Sequence, residues 1–194
     1  HVESYQPLIE RGCVFERSPP LRNWTHAYMR RKFGQHKGRF CPQPFGEYLD
    51  GIASGAEYVE YRHCGELPKD MLEEVGAPST LRKQRLIDLF DQTVLWYGRN
   101  RTSHLHFDPN MNFMHIVDGQ KDIWLVEPSG SLYLYNDFSE AASGTTPVDH
   151  SRVDMLRYPL VSRVRLWPVR LGPGDLLLIP SGWWHLVQTS PRAD

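Results

Sequence analysis

The stretch HLHFDPNMN, residues 104 to 112, carries three side chains of the types that bind metal ions. Side chains alternate between the two faces of a β-strand, so His104, His106 and Asp108 are predicted to share one face. A His-x-Asp pair with a distant histidine leaves coordination positions open and forms the facial triad of non-haem iron(II) oxygenases. The spacing alone does not decide which of the three residues bind, and strand histidines commonly make only local hydrogen bonds.

A second stretch, GPGDLLLIPSGWWHLVQT, supplies a distant candidate ligand. Gly174–Asp175 predicts a turn, LLLI a buried strand, and Pro180-Ser181-Gly182 a tight turn before a strand that begins at His185. We expect a hairpin that holds His185 at the mouth of a barrel, beside an apolar wall that excludes water. By itself the pattern fits a core hairpin with an incidental histidine equally well.

The predicted secondary structure changes from helices to strands near residue 92. Before it the sequence predicts helices, the first capped by Thr25 and ending at Phe33, the others over FGEYLDGIASG, residues 68–75 and about 79–90. After it come short runs rich in β-branched and aromatic residues, interrupted by a polar loop at 137–159. The predicted strands are TVLWYG, HLHFD, NFMHIVDG, KDIWLVEP, SLYLY, RVRLWPVRL, DLLLIP and WWHLVQT. Helices followed by strands predict an α+β domain with a sandwich or barrel core.

The amino-acid composition argues against some classes of function. The net charge of −1 argues against a general nucleic-acid binder, and the basic run MRRKFGQHKGR is interpreted as a solvated helix end. No apolar run approaches the roughly 18 residues of a membrane span. The three cysteines share no metal-ligand spacing and predict reduced thiols in an intracellular protein, with the compartment left open.

Two motifs resemble those of the cupin superfamily: Gly98-x5-His104-x-His106, and Gly174-x5-Pro180-x-Gly182-x2-His185. The first lacks the expected glutamate, and the second has Thr189 where asparagine is common. LWYGRNRTSHLHFDPNMNFMHIVDGQKDIWLVEPSGSLYLY followed by GDLLLIPSGWWH is more similar to the Jumonji-C, cupin-like hydroxylases. PLIERGCVFERSPPLRNWTHAYMRRKFG and FGEYLDGI resemble that family's amino-terminal part, so the resemblance spans roughly residues 6 to 189.

The resemblance implies one domain over residues 1–194, with a helical part over about 1–92 and a double-stranded β-helix, or jelly-roll, core over about 93–194. It implies that this mostly β core holds Fe(2+) and 2-oxoglutarate. Carried over residue by residue, the metal ligands and catalytic centre are His106, Asp108 and His185.

For the cosubstrate, the resemblance assigns Lys121 to the distal carboxylate of 2-oxoglutarate, a charge-assisted contact. Ser103 would donate its hydroxyl to the same carboxylate, and Asn112 would orient the cosubstrate. Tyr58 in EYVEY is expected to share this task, although Tyr61 is nearly as good a candidate. The side chain before His185, that of Trp184, is expected either beside the metal or in the core.

The implied activity is hydroxylation of a protein side chain, with demethylation of an N-methyl group as the other outcome of the same oxidant. The chain ends nine residues past His185, where relatives generally continue with another core strand. We therefore expect a truncated chain, or a partner subunit that covers the open sheet edge.

Two alternatives remain open from the sequence. One is a catalytically inactive scaffold, or a subunit of a larger assembly. The other is a cupin that binds a different metal through His104, His106 and His185 without 2-oxoglutarate, which leaves Lys121 unexplained.

Overall fold

The structure is a computed structural model that describes residues 5–37, 43–55, 59–63, 69–75, 93–136 and 144–189. Cys41, Cys64, Tyr58, the predicted helix at 79–90 and residues 137–143 of the predicted loop lie outside the described residues. The helices are α1 (Val14–Arg17), α2 (His26–Phe33), α3 (Phe45–Ala53) and α4 (Lys69–Val75), with 3-10 helices at Pro19–Asn23, Pro128–Leu134 and Pro159–Arg163. The strands are β1 (Leu8–Glu10), β2 (Val59–His63), β3 (Leu95–Arg99), β4 (Arg101–Thr102), β5 (His106–Phe107), β6 (Asn112–His115), β7 (Lys121–Val126), β8 (Trp167–Leu171), β9 (Leu176–Ile179) and β10 (Trp184–Thr189).

The helices α2, α3 and α4 confirm three of the predicted helices. The Thr25 side chain accepts a hydrogen bond from the Tyr28 amide and caps α2 as expected. Apolar residues of α2 and α3, led by Phe33 and Phe45, are fully buried in one core cluster. Among the described helices, none is both long and apolar enough to cross a bilayer.

The strands form antiparallel sheets. The largest has the order β4-β10-β7-β8, with β5 also paired to β10. A second sheet has the order β1-β9-β6, and β2 pairs with β3. The predicted α+β class with a mostly β core is confirmed.

The two larger sheets pack face to face through one apolar cluster. Ile123, Leu125 and Val187 come from the largest sheet, and Leu177 and Ile179 come from β9 of the second. The space between the sheets is therefore the interior of the β core.

The other face of the largest sheet carries a separate apolar cluster, which includes Trp184 and Leu134. Leu134 belongs to the 3-10 helix at Pro128–Leu134, so SLYLY is helical and the predicted strand there is wrong. The reason is visible in the burial: Ser131 and Leu134, three residues apart, point inward, whereas Leu132 is exposed. Pro128 at the first position favours the helical turn.

Two other expectations about the strands are corrected. The strands β9 and β10 do not form the predicted hairpin, because each pairs within a different sheet and only the turn at Pro180–Gly182 joins them. The stretch HLHFD is interrupted as well: β4 ends at Thr102 and β5 begins at His106. The sequence reading also missed β1 and β2.

Candidate metal centre

The centre is built on β5 and β10, where His106 lies directly opposite His185. Opposite residues of an antiparallel pair project from the same face of the sheet, and the two imidazole centroids are 4.3 Å apart. Along β10, three residue steps separate Gln188 from His185, but four separate their partners Thr102 and His106. The extra residue is a β-bulge, which shifts the face on which the strand presents its later side chains.

The chain segment at Gly144–Thr145 lies along β5. The Phe107 amide donates to the Gly144 carbonyl at 2.7 Å, and Thr145 forms a β-bridge with His106. A Cβ atom at residue 144 would lie 2.1 Å from the Phe107 carbonyl oxygen. Glycine is therefore required for this close approach, which fixes the strand that carries His106.

Both histidine rings are oriented by backbone carbonyls. Nδ1 of His106 lies 2.8 Å from the His104 carbonyl oxygen, and Nδ1 of His185 lies 3.1 Å from the Trp183 carbonyl oxygen. A carbonyl only accepts, so Nδ1 of each ring donates to the carbonyl, which leaves Nε2 as the nitrogen available to a metal. This is the orientation that metal-binding histidines commonly have.

Asp108 follows β5 and is held from two directions. Its Oδ2 accepts a hydrogen bond of 2.6 Å from the Asn112 side-chain amide, and its backbone carbonyl accepts from the Gly182 amide at 3.0 Å. The same Oδ2 lies 3.5 Å from Nε2 of His185. Gly182 belongs to the turn before β10, so this turn ties Asp108 to the strand of His185.

Ligand atoms of His106, Asp108 and His185 all lie within 4.8 Å of one another, the one such group of three among the described residues. His185 is buried, whereas His106 and Asp108 are half-buried and open the group to one side. Burial lowers the pKa of the His185 imidazole, and the neighbouring His106 lowers it further, so the ring is neutral. Two imidazole nitrogens and one carboxylate suit a divalent transition metal with open positions.

His104 is not part of this group. Its side chain is exposed, and its backbone carbonyl accepts hydrogen bonds from His106 Nδ1 and from the Ser103 hydroxyl. Periodicity placed three residues on one face. Two of them, His106 and Asp108, lie close to His185 in the structure.

Lys121 begins β7, where its backbone lies between Thr189 and Leu171. Because His185 is paired with Leu125, the alternation along β7 places Lys121 on the same face as His185. Its Nζ lies 5.5 Å from the centroid of the Trp96 ring and forms no ion pair with any described residue. Burial lowers the pKa of Lys121 to about 8. A half-buried ammonium with no counter-ion among the described residues, on the face of the metal ligands, suits an anionic group.

The other sequence-predicted contacts are placed as follows. Asn112 lies opposite Ile179, on the interior face, with its amide on Asp108. The Ser103 hydroxyl accepts from the Val187 amide at 2.9 Å and donates to the His104 carbonyl at 3.1 Å. Tyr58 lies outside the described residues.

Trp184 belongs to the core and not to the metal side. It alternates with His185 along β10, is fully buried, and donates its indole N–H to the Ser131 hydroxyl at 2.8 Å. The sequence reading missed the backbone groups of Trp183 and Gly182, which orient two of the ligands. Of these two positions, only Gly182 could have been suspected from the sequence, because it is a glycine in the predicted turn before the strand.

Comparisons with known proteins identify a matching family and several relatives. Residues 42–193 match the family model described as a cupin-like domain. The chain is 38% identical to Jumonji C domain-containing protein 5 of Drosophila melanogaster over 154 residues, which cover 77% of this chain and 38% of the relative. It is 33% identical to Lysine-specific demethylase 8 of Xenopus tropicalis over 201 residues, which cover 94% of this chain and 45% of the relative. It is also 35% identical to tRNA wybutosine-synthesizing protein 5 of Danio rerio over 218 residues, 90% of this chain and 64% of the relative. The chain thus spans less than half the length of the fly and frog relatives.

Proposed function

This chain belongs to the Jumonji-C-like, cupin-like domain family, and on that premise we propose that it is an Fe(II)- and 2-oxoglutarate-dependent oxygenase that hydroxylates a protein side chain. The observation that carries the proposal is the combination of two features. The ligand atoms of His106, Asp108 and His185 lie within 4.8 Å of one another. The ammonium of Lys121, on the same sheet face, is half-buried, and burial lowers its pKa to about 8 with no anion beside it among the described residues.

Iron(II) with 2-oxoglutarate, when bound, supplies the oxidation of a C–H bond by O2, with succinate and CO2 as the other products. In the proposed mechanism, Nε2 of each histidine and the Asp108 carboxylate would hold the metal. Lys121 would bind the distal carboxylate of 2-oxoglutarate through charge and hydrogen bonding. The Asn112 amide and the His104 and Trp183 carbonyls keep the three ligands in orientation.

The surrounding core supports a dry reaction site. Leu177, Ile179 and Trp183 are buried in the cluster between the sheets, on the side toward which the metal ligands project. Water is thereby excluded from one side of the site. The half-buried His106 and Asp108 mark the side from which a substrate would enter.

Demethylation is the second candidate outcome. The frog relative is named Lysine-specific demethylase 8. Oxidation of an N-methyl group uses the same oxidant as hydroxylation, and the two outcomes differ in which C–H bond the substrate presents. Product analysis by mass spectrometry separates a gain of oxygen from a loss of methyl.

The two alternative functions are less well supported. An inactive scaffold is not expected to retain three converging ligands together with a half-buried lysine that has no ion-pair partner among the described residues. A cupin centre that uses His104 would require the exposed side chain of that residue to turn toward His106 and His185.

The test is O2-dependent release of succinate from 2-oxoglutarate by the purified chain supplied with iron(II). We expect succinate to accumulate, and Asp108→Ala to abolish it because one of three ligands is lost. His104→Ala is the matched control: it removes a neighbouring imidazole but keeps the backbone carbonyl, so activity should remain within about twofold. Loss of activity in His104→Ala with activity retained in Asp108→Ala would overturn the ligand assignment.

A further inference from the structure

The segment from Arg152 to Trp167 concentrates positive charge in a chain whose net charge is −1. It contains four arginines and a single acidic residue, Asp154. The Asp154 carboxylate accepts hydrogen bonds from the Leu156 and Arg157 amides and so holds a local turn. The four arginines, Arg152, Arg157, Arg163 and Arg165, are exposed, and none of them forms an ion pair with another residue that the structure describes.

The end of this segment lies two strands away from the metal ligand His185 in the same sheet. His106 is opposite His185, His185 is opposite Leu125, and Leu125 is opposite Trp167. These four residues form one row across the sheet, with their side chains on one face. Two strand spacings, roughly 10 Å, separate Trp167 from His185.

Trp167 itself is exposed, and the Arg165 guanidinium lies over its ring at 4.0 Å. The stacking therefore places the Arg165 guanidinium beside a side chain that lies in the same row as His185. The stacking holds the guanidinium in place, and its hydrogen-bonding edge has no ion-pair partner in the part of the chain that the structure describes, so it is available to an anion.

The same segment exposes large aliphatic side chains between its arginines. Leu156 is 97% exposed and Leu166 is 53% exposed, and Leu160 adds to them. Three exposed leucines within eleven residues suit contact with apolar groups of a partner. Nucleic acids present phosphates and base faces, which arginine and tryptophan can bind, but they give aliphatic side chains little to contact.

We propose that the arginine-rich segment, residues 152–167, is the docking surface for an acidic stretch of the protein substrate that also carries apolar side chains. This inference rests on the proposed function, since it assigns the substrate class of the same site. Carboxylates of the substrate pair with the free arginines, and its apolar side chains cover the exposed leucines. From this surface the substrate extends past Arg165 and Trp167 to the metal ligands His185 and His106.

The test uses fluorescence anisotropy with the purified chain and no iron, 2-oxoglutarate or O2, so that its outcome is independent of turnover. The probe is a fluorescein-labelled pool of 12-residue peptides with Asp or Glu alternating with Leu, Phe or Met. A pool with Lys in place of the acids, and a labelled single-stranded RNA 20-mer, serve as the comparison probes. We expect the acidic pool to bind most tightly and its binding to weaken as salt is raised.

The decisive variant is Arg157→Gln/Arg163→Gln/Arg165→Gln, which removes three exposed charges. The matched control is Arg22→Gln/Arg31→Gln/Lys37→Gln, since these residues are also exposed. In both sets two of the guanidinium groups lie over aromatic rings. We expect the first variant to bind the acidic pool at least about tenfold more weakly and the control to stay within about twofold.

Equal weakening in both triple variants would show a general charge effect and overturn the proposal. Tighter binding of the RNA than of the acidic pool, lost in the first variant, would assign the surface to a nucleic acid and overturn it too. Absence of binding to the acidic pool would refute the proposal and leave the succinate assay to decide the proposed function.

Discussion

Lys121 carries an ammonium group that folding alone does not account for. It lies in a strand between two paired strands, and burial lowers its pKa to about 8, yet no described carboxylate neutralises it. A buried charge without a partner lowers the stability of the folded state. Such a residue is kept where a ligand supplies the missing charge, which is the role proposed here for the distal carboxylate of 2-oxoglutarate.

The first prediction concerns the stability of the unloaded protein and its pH dependence. Below about pH 8 the lysine is protonated in both states, so the folded state carries the full desolvation cost. Between pH 8 and the ordinary value of 10.5 the folded state releases its proton first, and stability rises with pH. Lys121→Met should therefore raise the free energy of unfolding at pH 7 by roughly 1–3 kcal/mol, and the gain should shrink by pH 9.5.

Urea unfolding of both proteins at the two pH values measures this gain. A variant that is less stable than the natural chain at pH 7, or a gain that does not change with pH, would show that the ammonium is neutralised in the folded state.

Asn112 gives the second prediction at this scale. Its amide donates to Oδ2 of Asp108, so Asn112→Ala should weaken metal binding about 10- to 100-fold by releasing the carboxylate. Cobalt(II) titration followed by absorption measures the affinity, and the exposed Gln120→Ala is the control. Unchanged metal affinity with weaker 2-oxoglutarate binding would instead make Asn112 a cosubstrate contact.

At the scale of elements, the bulge between β4 and β5 decides the geometry of the site. Ser103 lies in this bulge and replaces a strand partner: its hydroxyl accepts the hydrogen bond of the Val187 amide, while its own amide donates to the Val187 carbonyl. A side chain that satisfies the backbone of β10 two residues past His185 keeps the two ligand strands aligned.

Ser103→Ala should therefore lower the free energy of unfolding by about 1–3 kcal/mol, because the Val187 amide loses its partner. Ser103→Thr keeps the hydroxyl and should restore most of the loss. Thermal and urea unfolding test this directly. If Ser103→Ala unfolds like the natural chain but binds 2-oxoglutarate more weakly, the hydroxyl serves the cosubstrate instead.

Some features of these elements could be predicted from the sequence, and others could not. Periodicity found α2, α3 and α4 and most strands, because their apolar residues recur at the spacing of each element. It did not find the bulge or the assignment of β9 and β10 to different sheets, because pairing register depends on distant chain. For the same reason periodicity alone left His104, His106 and Asp108 equivalent. The family resemblance separated them, and in the structure His106 lies opposite His185.

At the scale of the molecule, Asp175 joins the amino-terminal segment to the β core. Its carboxylate accepts hydrogen bonds from the Arg11 guanidinium and from the Gly12 and Gly172 amides. Burial would raise the pKa of Asp175, but these hydrogen bonds and the Arg11 charge outweigh it and lower the pKa below its ordinary value. The contact between β1 and β9 depends on this anchor at its end.

Asp175→Asn should lower the free energy of unfolding at pH 7 by about 1–3 kcal/mol, since one oxygen becomes a donor that faces other donors. A depressed pKa stabilises the folded state fully above the pKa of the unfolded chain, and this stabilisation is lost as the pH falls through the pKa of the folded chain. The difference between the two proteins should therefore diminish as the pH falls below the ordinary value of 3.8. Urea unfolding at pH 7 and pH 3 provides the comparison, and a difference that persists unchanged at pH 3 would rule out the carboxylate as its source.

The proposed function requires that His106, Asp108 and His185, together with Lys121, form a site for iron(II) and 2-oxoglutarate. Anaerobic titration of the natural chain with iron(II), followed by 2-oxoglutarate, measures it most directly by calorimetry. We predict one iron site per chain, 2-oxoglutarate binding only to the iron-loaded protein, and at least about tenfold weaker 2-oxoglutarate binding in Lys121→Met. Iron-loaded protein that does not bind 2-oxoglutarate, or that binds it equally well in Lys121→Met, would contradict the account.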